Sequence, residues 1–585
     1  MSASRSFRIL CITLGLFQAC KKDASVGEKP AANAPLSIEA IKAPVRDLIR
    51  SEDINQELQK AFKRRFMKGI KNQSQEKITS AFAKQFTGQL YVPKASEYQA
   101  DGGILHWSTK NATGKYLSAK ELTQEITTML ANWASVDLVD WHVFRVKANT
   151  RRPSSRAVVR GHLSLAGTWS NGDREELYAS VTCEFVRNEK GHWRISKMRF
   201  DEQTRAKTSA PAFRDIATLT GFKFNTPKKD RKWQQAVINE RHLFTNGGLT
   251  ALDYNKDGFT DIIATQGENE TILFLNDTKG GFERKQLPLI NSPQRVSKFY
   301  SWVDLDNDGQ EELIGERIIR SDNGQHEIPI YQVKNGAMTE SNKRLTFKTK
   351  SWLRKISFES IIPCDVNGDQ LLDLFFVGYS HNDSNRQPSF ISATDGMRNL
   401  LFINKGGLKF EEQAIDRGLR ETKYSLVAAC YDFDGDGDRD IFVGNDFGSN
   451  DYYVNNGQGN FSNDNVHPFF RGSSFSMGLS IADFDNTGHY SVSVSNMYSH
   501  AGNRIVPLVE NFQGHDSKDI LRLAEGNSLY EYRNNRWEDT GVERNINVSG
   551  WAWANQFFDF DNDGDKDLFV TNGNNTHTDP HLPDF

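Results

Sequence analysis

Cysteine is scarce, five in 585 residues at positions 11, 20, 183, 364 and 430, which excludes a small secreted scaffold held by dense disulfides. Charge of one sign is also lacking. With 72 Lys and Arg against 75 Asp and Glu the net charge is −3, and no nucleic-acid-binding motif is present, so a nucleic-acid partner is not expected. The apolar run near the start, Ile9 to Phe17, is too short to cross a bilayer as a helix. Equally absent are a phosphate-binding glycine loop, a nucleophile elbow and the His-Glu-x-x-His zinc motif, so no catalytic residue is assigned.

What the chain has instead is one short acidic loop written six times. Loop one carries Asp253, Asn255, Asp257 and Asp261; loop two Asp304, Asp306, Asp308 and Glu312; loop three Asp365, Asn367, Asp369 and Asp373. Loop four carries Asp432, Asp434, Asp436 and Asp440; loop five Asp483 and Asp485, followed by Thr487 and Ser491; loop six Asp559, Asp561, Asp563 and Asp567. These residues occupy positions 1, 3, 5 and 9 of each loop, and a glycine stands at position 6 in all but loop three. Oxygen ligands at that spacing, with a sharp turn between them, suit a hard cation such as Ca²⁺.

An EF-hand begins the same way but needs a bidentate Glu at position 12 and flanking helices. Here position 12 is Ala264, Gly315, Phe376, Val443 or Val570 in the five better copies, which excludes it. Short apolar runs follow position 9 instead, such as Leu374-Phe375-Phe376 and Ile441-Phe442-Val443. Runs of this length and composition predict buried strands, so each loop should join two strands of a hairpin.

Ligand chemistry ranks the copies. Loops two, four and six offer four carboxylates each and should bind best. Asn255 and Asn367 lower the charge of loops one and three, Gln370 replaces the turn glycine of loop three, and loop five keeps too few carboxylates to bind well. The sequence thus predicts about five to six calcium sites, with loop five the doubtful one.

The loops begin at 253, 304, 365, 432, 483 and 559, and an Asn/Gly turn recurs between them, as in Leu273-Phe-Leu-Asn276, Leu401-Phe-Ile-Asn404 and Tyr452-Tyr-Val-Asn455. Tyr530-Glu-Tyr-Arg-Asn534 is a worn version. Two strands around each loop and two around each turn make a four-stranded blade, and repetition at this period predicts an all-β propeller of six blades, with seven as the alternative. Residues 245 to 575 resemble the FG-GAP/VCBS repeats of integrin-like propellers. Through Gly444-Asn445-Asp446-Phe447-Gly448, Ser476-Met477-Gly478 and Gly550-Trp551-Ala-Trp553 they are more similar to bacterial members of the cartilage acidic protein (ASPIC/UnbV) group. The resemblance implies calcium-stabilised propellers that work outside the cytoplasm, and no established reaction. Because little chain follows loop six, the segment 213–239 is expected to supply the strands that complete the last blade.

Residues 1–19 read as a targeting peptide with Arg5 and Arg8 at its start, and Phe17-Gln-Ala19-Cys20 resembles the lipobox of bacterial lipoproteins. That resemblance implies a lipid anchor on Cys20, hence a membrane partner and an envelope location, the outer membrane by the sorting rule for Lys21 and Lys22. Residues 20–35 form a flexible tether, 36–208 an α+β domain and 209–585 the propeller. In the α+β domain helical periodicity over 54–67 and 117–133 is followed by strands at 137–148, 156–169, 175–187 and 191–200, an order that resembles the SnoaL-like (nuclear transport factor-like) cone. Trp141, His142, His162 and Trp169 are its candidate pocket residues. The run Lys60 to Arg65 is a solvated helix face or a contact for anionic lipid headgroups.

Cys364 and Cys430 precede loops three and four on buried strands and are expected to be small core residues, leaving calcium as the main staple. If the acidic loops share one face, the long connections 379–399 and 497–527 emerge on the other. A protein or glycan ligand is therefore expected near Tyr379, His381, Asn445, Asp446, Tyr498, His500 and Arg504. The function expected is an envelope-anchored binding or adhesion module. The alternatives are a propeller-based polysaccharide lyase or hydrolase, for which His500 and the terminal His577 and His581 are the candidates, and an envelope assembly scaffold.

Overall fold

The computed structural model describes residues 43–222 and 247–572, apart from 102–103, 110–113, 149–154, 210–215, 267–269, 288–298, 316–317, 321–322, 335, 350–355, 381–388, 390, 465–466, 468, 470–473, 500–501, 504–505, 507–510 and 513–514. The leader, the tether, the terminal histidines and most of the segment expected to close the last blade, all but 216–222, lie outside the described residues. The chain divides into two compact units, residues up to 214 together with 499–517, and 215–498 together with 518–585.

In the first unit α1 (Ala43–Phe62) continues through a wider π turn, Lys63–Met67, into Lys68–Lys71, and a short α2 (Gln75–Thr79) follows. Its basic run is split by helical periodicity: Lys60, Lys63 and Arg64 are exposed while Phe62 and Phe66 are buried. Helix α3 (Ala119–Leu130) starts where the sequence supplies a capping box, with Ser118 N–H donating to Glu121 Oε2 (2.7 Å) and Glu121 N–H to Ser118 Oγ (3.3 Å). The strands are β1 (Phe82–Gln89), β2 (Gln99–Asp101), β3 (Ile104–Thr109), β4 (Tyr116–Leu117), β5 (Trp133–Ala148), β6 (Arg156–Trp169), β7 (Arg174–Arg187) and β8 (Trp193–Thr208). They form one sheet in the order β2-β3-β8-β7-β6-β5, with β1 parallel to β8. Strands β6 and β7 alternate buried and accessible residues along their length, and their inward side chains meet Phe62, Phe66, Leu122 and Ile126 in one core. Among the described residues no helix is long and apolar enough to cross a membrane.

The second unit is a succession of antiparallel sheets. The first holds β9 (Gly247–Leu252), β10 (Asp261–Gln266), β11 (Glu270–Asn276) and β12 (Phe282–Gln286); the second β13 (Tyr300–Val303), β14 (Glu312–Gly315), β15 (Ile319–Arg320), β16 (Gln325–Lys334) and β17 (Ala337–Lys348). The third holds β18 (Ser357–Cys364), β19 (Asp373–Ser380), β20 (Leu400–Asn404) and β21 (Phe410–Glu412); the fourth β22 (Tyr424–Tyr431), β23 (Asp440–Asp446), β24 (Asp451–Asn455) and β25 (Phe461–Asn463). After β26 (Gly478–Ala482) and β27 (Ser491–Ser495) the chain runs through the small pair β28 (Asn511–Phe512) and β29 (His515–Asp516), which is grouped with the first unit. Strands β30 (Ser528–Arg533) and β31 (Arg536–Asp539) then complete the fifth sheet. The sixth shows two strands among the described residues, β32 (Ala552–Phe558) and β33 (Asp567–Asn572).

Every acidic loop joins the first two strands of its sheet, as expected, and the first strands of consecutive sheets pack against one another in chain order. The cores lie between sheets. Phe376 faces the core shared with the second sheet and Phe375 the core shared with the fourth, while Val443 and Phe442 divide in the same way between the third and fifth. This explains the unbroken apolar runs after each loop, since both faces of the second strand are covered.

Two departures from expectation concern the turns and the cysteines. Each loop uses two left-handed residues, not one: position 4 (Lys256, Asn307, Gly368, Gly435, Asn486, Asn562) and position 6 (Gly258, Gly309, Gln370, Gly437, Gly488, Gly564). Gln370 takes this conformation at φ +68°, so loop three keeps its shape at the cost a side chain incurs there. Cys364 and Cys430, expected to be unlinked core residues, form a disulfide with a Cα–Cα distance of 6.3 Å, because consecutive first strands bring their loop-proximal ends together. Cys183 is free and buried.

Gln370→Gly is expected to raise the melting temperature of the second unit, with a gain of about 1 kcal/mol in urea, and Gly437→Gln to lower it. Non-reducing peptide mapping should recover a Cys364–Cys430 linked pair, and replacing both residues by alanine should cost about 3 kcal/mol.

Candidate metal loops and the opposite ends of the sheets

The first aspartate of each loop is held by the loop's own backbone. Asp253 accepts from Asp257 N–H (3.1 Å) and Gly258 N–H (2.9 Å), Asp304 from Asp308 N–H (3.2 Å) and Gly309 N–H (2.9 Å), and Asp432 from Gly435 N–H (2.7 Å) and Gly437 N–H (3.0 Å). Asp365 and Asp483 are bonded in the same manner, and Asp559 accepts from Gly564 N–H (3.1 Å). The turn thus orients position 1 before any ligand arrives.

In loops two, four and six the carboxylates at positions 1, 3 and 5 converge. Asp304, Asp306 and Asp308, Asp432, Asp434 and Asp436, and Asp559, Asp561 and Asp563 each bring one oxygen within 4.8 Å of the others. These are the loops that ligand count ranked first. Asp306 Oδ1 and Asp559 Oδ1 are buried without a hydrogen-bond partner, atoms a cation would satisfy. Burial, and then the neighbouring carboxylates, hold Asp306 and Asp434 above the usual carboxylate range. Crowded anions with orphaned oxygens fit a hard divalent ion.

The weaker loops fold alike but bridge themselves. Asn255 and Asn367 donate to Asp257 and Asp369 (2.9 Å each), and Thr487 Oγ1 donates to Asp485 (2.9 Å).

Position 9 has a second duty. Asp261, Glu312, Asp373 and Asp440 are fully buried. Each accepts the N–H of position 2, from Tyr254 (2.9 Å), Leu305 (3.0 Å), Val366 (3.1 Å) and Phe433 (3.3 Å) respectively, and Asp567 accepts that of Phe560 (2.9 Å). In sheets one, three and four the other carboxylate oxygen accepts the N–H of the recurring asparagine, Asn276 (2.7 Å), Asn404 (2.8 Å) or Asn455 (2.9 Å). Burial pushes Asp373 and Asp440 up to about 6.

Side chains also lace neighbouring loops. Asn404 Nδ2 donates to Leu305 O (2.7 Å) in loop two and Asn455 Nδ2 to Val366 O (2.8 Å) in loop three, while Trp537 Nε1 reaches Phe433 O (3.0 Å) in loop four. In loops one, two and five the position-4 side chain donates to the position-6 carbonyl of the next loop: Lys256 to Gly309 (3.2 Å), Asn307 to Gln370 (3.0 Å) and Asn486 to Gly564 (2.9 Å). Sequence reasoning missed this role, although Lys or Asn in place of glycine at position 4 of four loops was its signal.

At the far ends of the third and fourth sheets Tyr379, Asn445 and Asp446 come together. Tyr379 donates its hydroxyl to Asp446 Oδ2 (3.0 Å). Burial lifts Asp446 to about 7 and Tyr379 well above the ordinary phenol range. Tyr379 meets the Tyr424 ring edge-on at 5.3 Å, and Phe447 continues the cluster at 5.7 Å. Asn445 is buried and spent on structure, with Nδ2 donating to Ser449 O (2.9 Å) and Asp451 Oδ2 (2.8 Å) and Oδ1 accepting from Ser425 (2.8 Å). Tyr498 is half-buried and its backbone N–H donates to Gly550 O (2.8 Å). His381, His500 and Arg504 lie outside the described residues.

The four pocket candidates of the first unit do not line one pocket. Trp141 stacks on Phe62 at 4.5 Å inside the core, His142 pairs with Asp140, and His162 lies between the rings of Phe144 (4.8 Å) and Tyr178 (5.1 Å). Trp169 Nε1 donates to Glu175 (2.9 Å). Residues adjacent on a strand face opposite sides of the sheet, which separates Trp141 from His142.

A solved conserved protein from Planctomyces limnophilus is 10% identical, over 25% of this chain and 94% of its own, with a TM-score of 0.19. A putative scytalone dehydratase (11%, 27%, 87%, 0.19) and a putative aromatic ring hydroxylase (13%, 27%, 92%, 0.18), both from Novosphingobium aromaticivorans, are similar to the same degree, and no activity is read from them. No curated protein matches significantly. The model of the FG-GAP-like repeat matches residues 253–315 and 432–491, so the chain carries FG-GAP-like repeats at loops one and two and again at loops four and five.

Proposed function

We propose that residues 209–585 form a six-bladed, calcium-stabilised propeller of the ASPIC/UnbV kind that serves as a binding module outside the cytoplasm, anchored through lipid on Cys20. The observation that carries this reading is the segregation of the sheets: acidic loops at one end, with three converging carboxylate triads, and the Tyr379–Asp446–Tyr424 cluster at the other. Asp304, Asp306 and Asp308, with their counterparts in loops four and six, would hold the ions, which supply countercharge and cross-link each turn. The Cys364–Cys430 disulfide supports an oxidising compartment, since such bonds persist there and are rare in the cytosol. A protein or glycan ligand would then meet the end away from the metal, where aromatic rings flank a buried carboxylate. The first unit, helices followed by a long-stranded sheet, is read as a SnoaL-like domain.

Excess EGTA is expected to lower the melting temperature by about 10 °C or more, and metal analysis should find loops two, four and six filled first. An unchanged melt would remove the calcium reading. On a glycan array and against purified envelope proteins, Tyr379→Phe and Asp446→Asn should weaken capture while leaving the EGTA response intact. Wild-type capture by neither would overturn the binding reading.

A further inference from the structure

The first unit holds two buried polar side chains whose hydrogen-bonding groups its own fold leaves partly unmet. Arg205 is 2% and Gln203 1% exposed. Among the described residues Arg205 Nε and Nη2 have no hydrogen-bond partner, and neither Gln203 Nε2 nor Oε1 has one. Interiors rarely leave one such group unmet, and four atoms on two neighbouring side chains call for a partner that the polypeptide does not supply.

Their placement is set by β8. A register shift opposite Ser180 and Val181 lets Phe200, Gln203 and Arg205 all face inward, where Arg205 pairs with Trp107 of β3 and Leu177 of β7, and Gln203 with Ala179. Glu175, 6% exposed, stands on the same inner face and balances the arginine's charge. Its own oxygens are engaged by Trp133 Nε1 (3.0 Å), Trp169 Nε1 (2.9 Å) and Tyr98 (3.4 Å), and among the described residues no salt bridge takes up the guanidinium. Tyr98 also contacts Arg205. A small cavity bounded wholly by apolar side chains, Leu165, Leu177 and Phe200 among them, lies on that inner face.

We propose that Arg205 and Gln203 form a binding site for a small organic carboxylic acid bearing a hydroxyl or ammonium group beside the carboxylate. The two free nitrogens of Arg205 are the edge that receives a carboxylate bidentately. Gln203 Nε2 adds a third donor, and Gln203 Oε1 requires a donor from the ligand, which the adjacent hydroxyl or ammonium supplies. An ammonium also keeps the site neutral, since Arg205 and Glu175 already cancel. Trp133 and Trp169, bonded to Glu175, report occupancy.

The experiment titrates the full chain at constant ionic strength with lactate and alanine, against propionate, lactamide and 1-propanol, following tryptophan fluorescence and the melting temperature. Saturable responses to lactate or alanine are expected, weaker for propionate and absent for lactamide and propanol, with affinity falling about tenfold or more in Arg205→Lys and Gln203→Leu. Gln203→Leu removes the unmet amide, so it should fold even if Arg205→Lys does not. No saturable response to either acid, an equal response to lactamide, or undiminished binding by folded Gln203→Leu would overturn the site. So would a high-resolution crystal structure grown with lactate in which ordered waters alone satisfy Arg205 and Gln203.

Discussion

The second unit depends on a carboxylate buried at the ninth position of its loops. A charge in that place is costly, and it is tolerated because Asp261, Asp373 and Asp440 each receive one N–H from their own loop and one from the asparagine that ends the third strand. Two features spaced far apart in the repeat, the acidic loop and the Asn/Gly turn, are therefore halves of one interaction. Glu312 varies the scheme. Its longer side chain reaches Gln332 Nε2 (3.0 Å) instead, and β14 accordingly pairs with β16 without an intervening asparagine of that kind.

That interaction also explains how neighbouring sheets are aligned. The asparagine whose backbone N–H serves the carboxylate sends its amide to the preceding loop, so displacing one loop disturbs two. The position-4 side chains make a second set of links in the forward direction, and Cys364–Cys430 makes a covalent one between loops three and four, both of which have glycine at position 4 and no side chain to give. Calcium, on the reading proposed above, adds to a set of contacts that already fixes position 1 from the backbone. Its contribution is to neutralise carboxylates that the fold has crowded together, and not to create the turn.

Much of this was legible. Loop spacing gave the hairpins, the apolar runs gave strands covered on both faces, and carboxylate count separated loops two, four and six from the rest because convergence of charge needs only the residues at positions 1, 3 and 5. Pairing across sheets was not legible. Cys364 and Cys430 look like small core residues until the first strands are known to pack end by end, and Trp537 replaces an asparagine with a different donor, which no motif would carry. In the first unit β1 to β4 are short and irregular, and Gln203 and Arg205 lie beyond the strand expected at 191–200, where the register shift in β8 turns them inward against the alternation set by Phe200.

Loop five shows which part of the motif is indispensable. It has lost the carboxylates at positions 5 and 9, yet Asp483 still accepts from Thr487 and Gly488 N–H, and Gly488 keeps its left-handed turn at φ +84°. Ser491 stands where the buried carboxylate would be, and the loop is secured from outside: Lys566 N–H donates to Phe484 O (2.9 Å) while Asn486 donates to Gly564 O. Loss of these carboxylates is therefore tolerated where a neighbouring loop takes over the backbone groups. The first aspartate and its turn cannot be delegated in this way, because the N–H groups they satisfy face into the loop itself, and that is why they persist in all six copies of the chain.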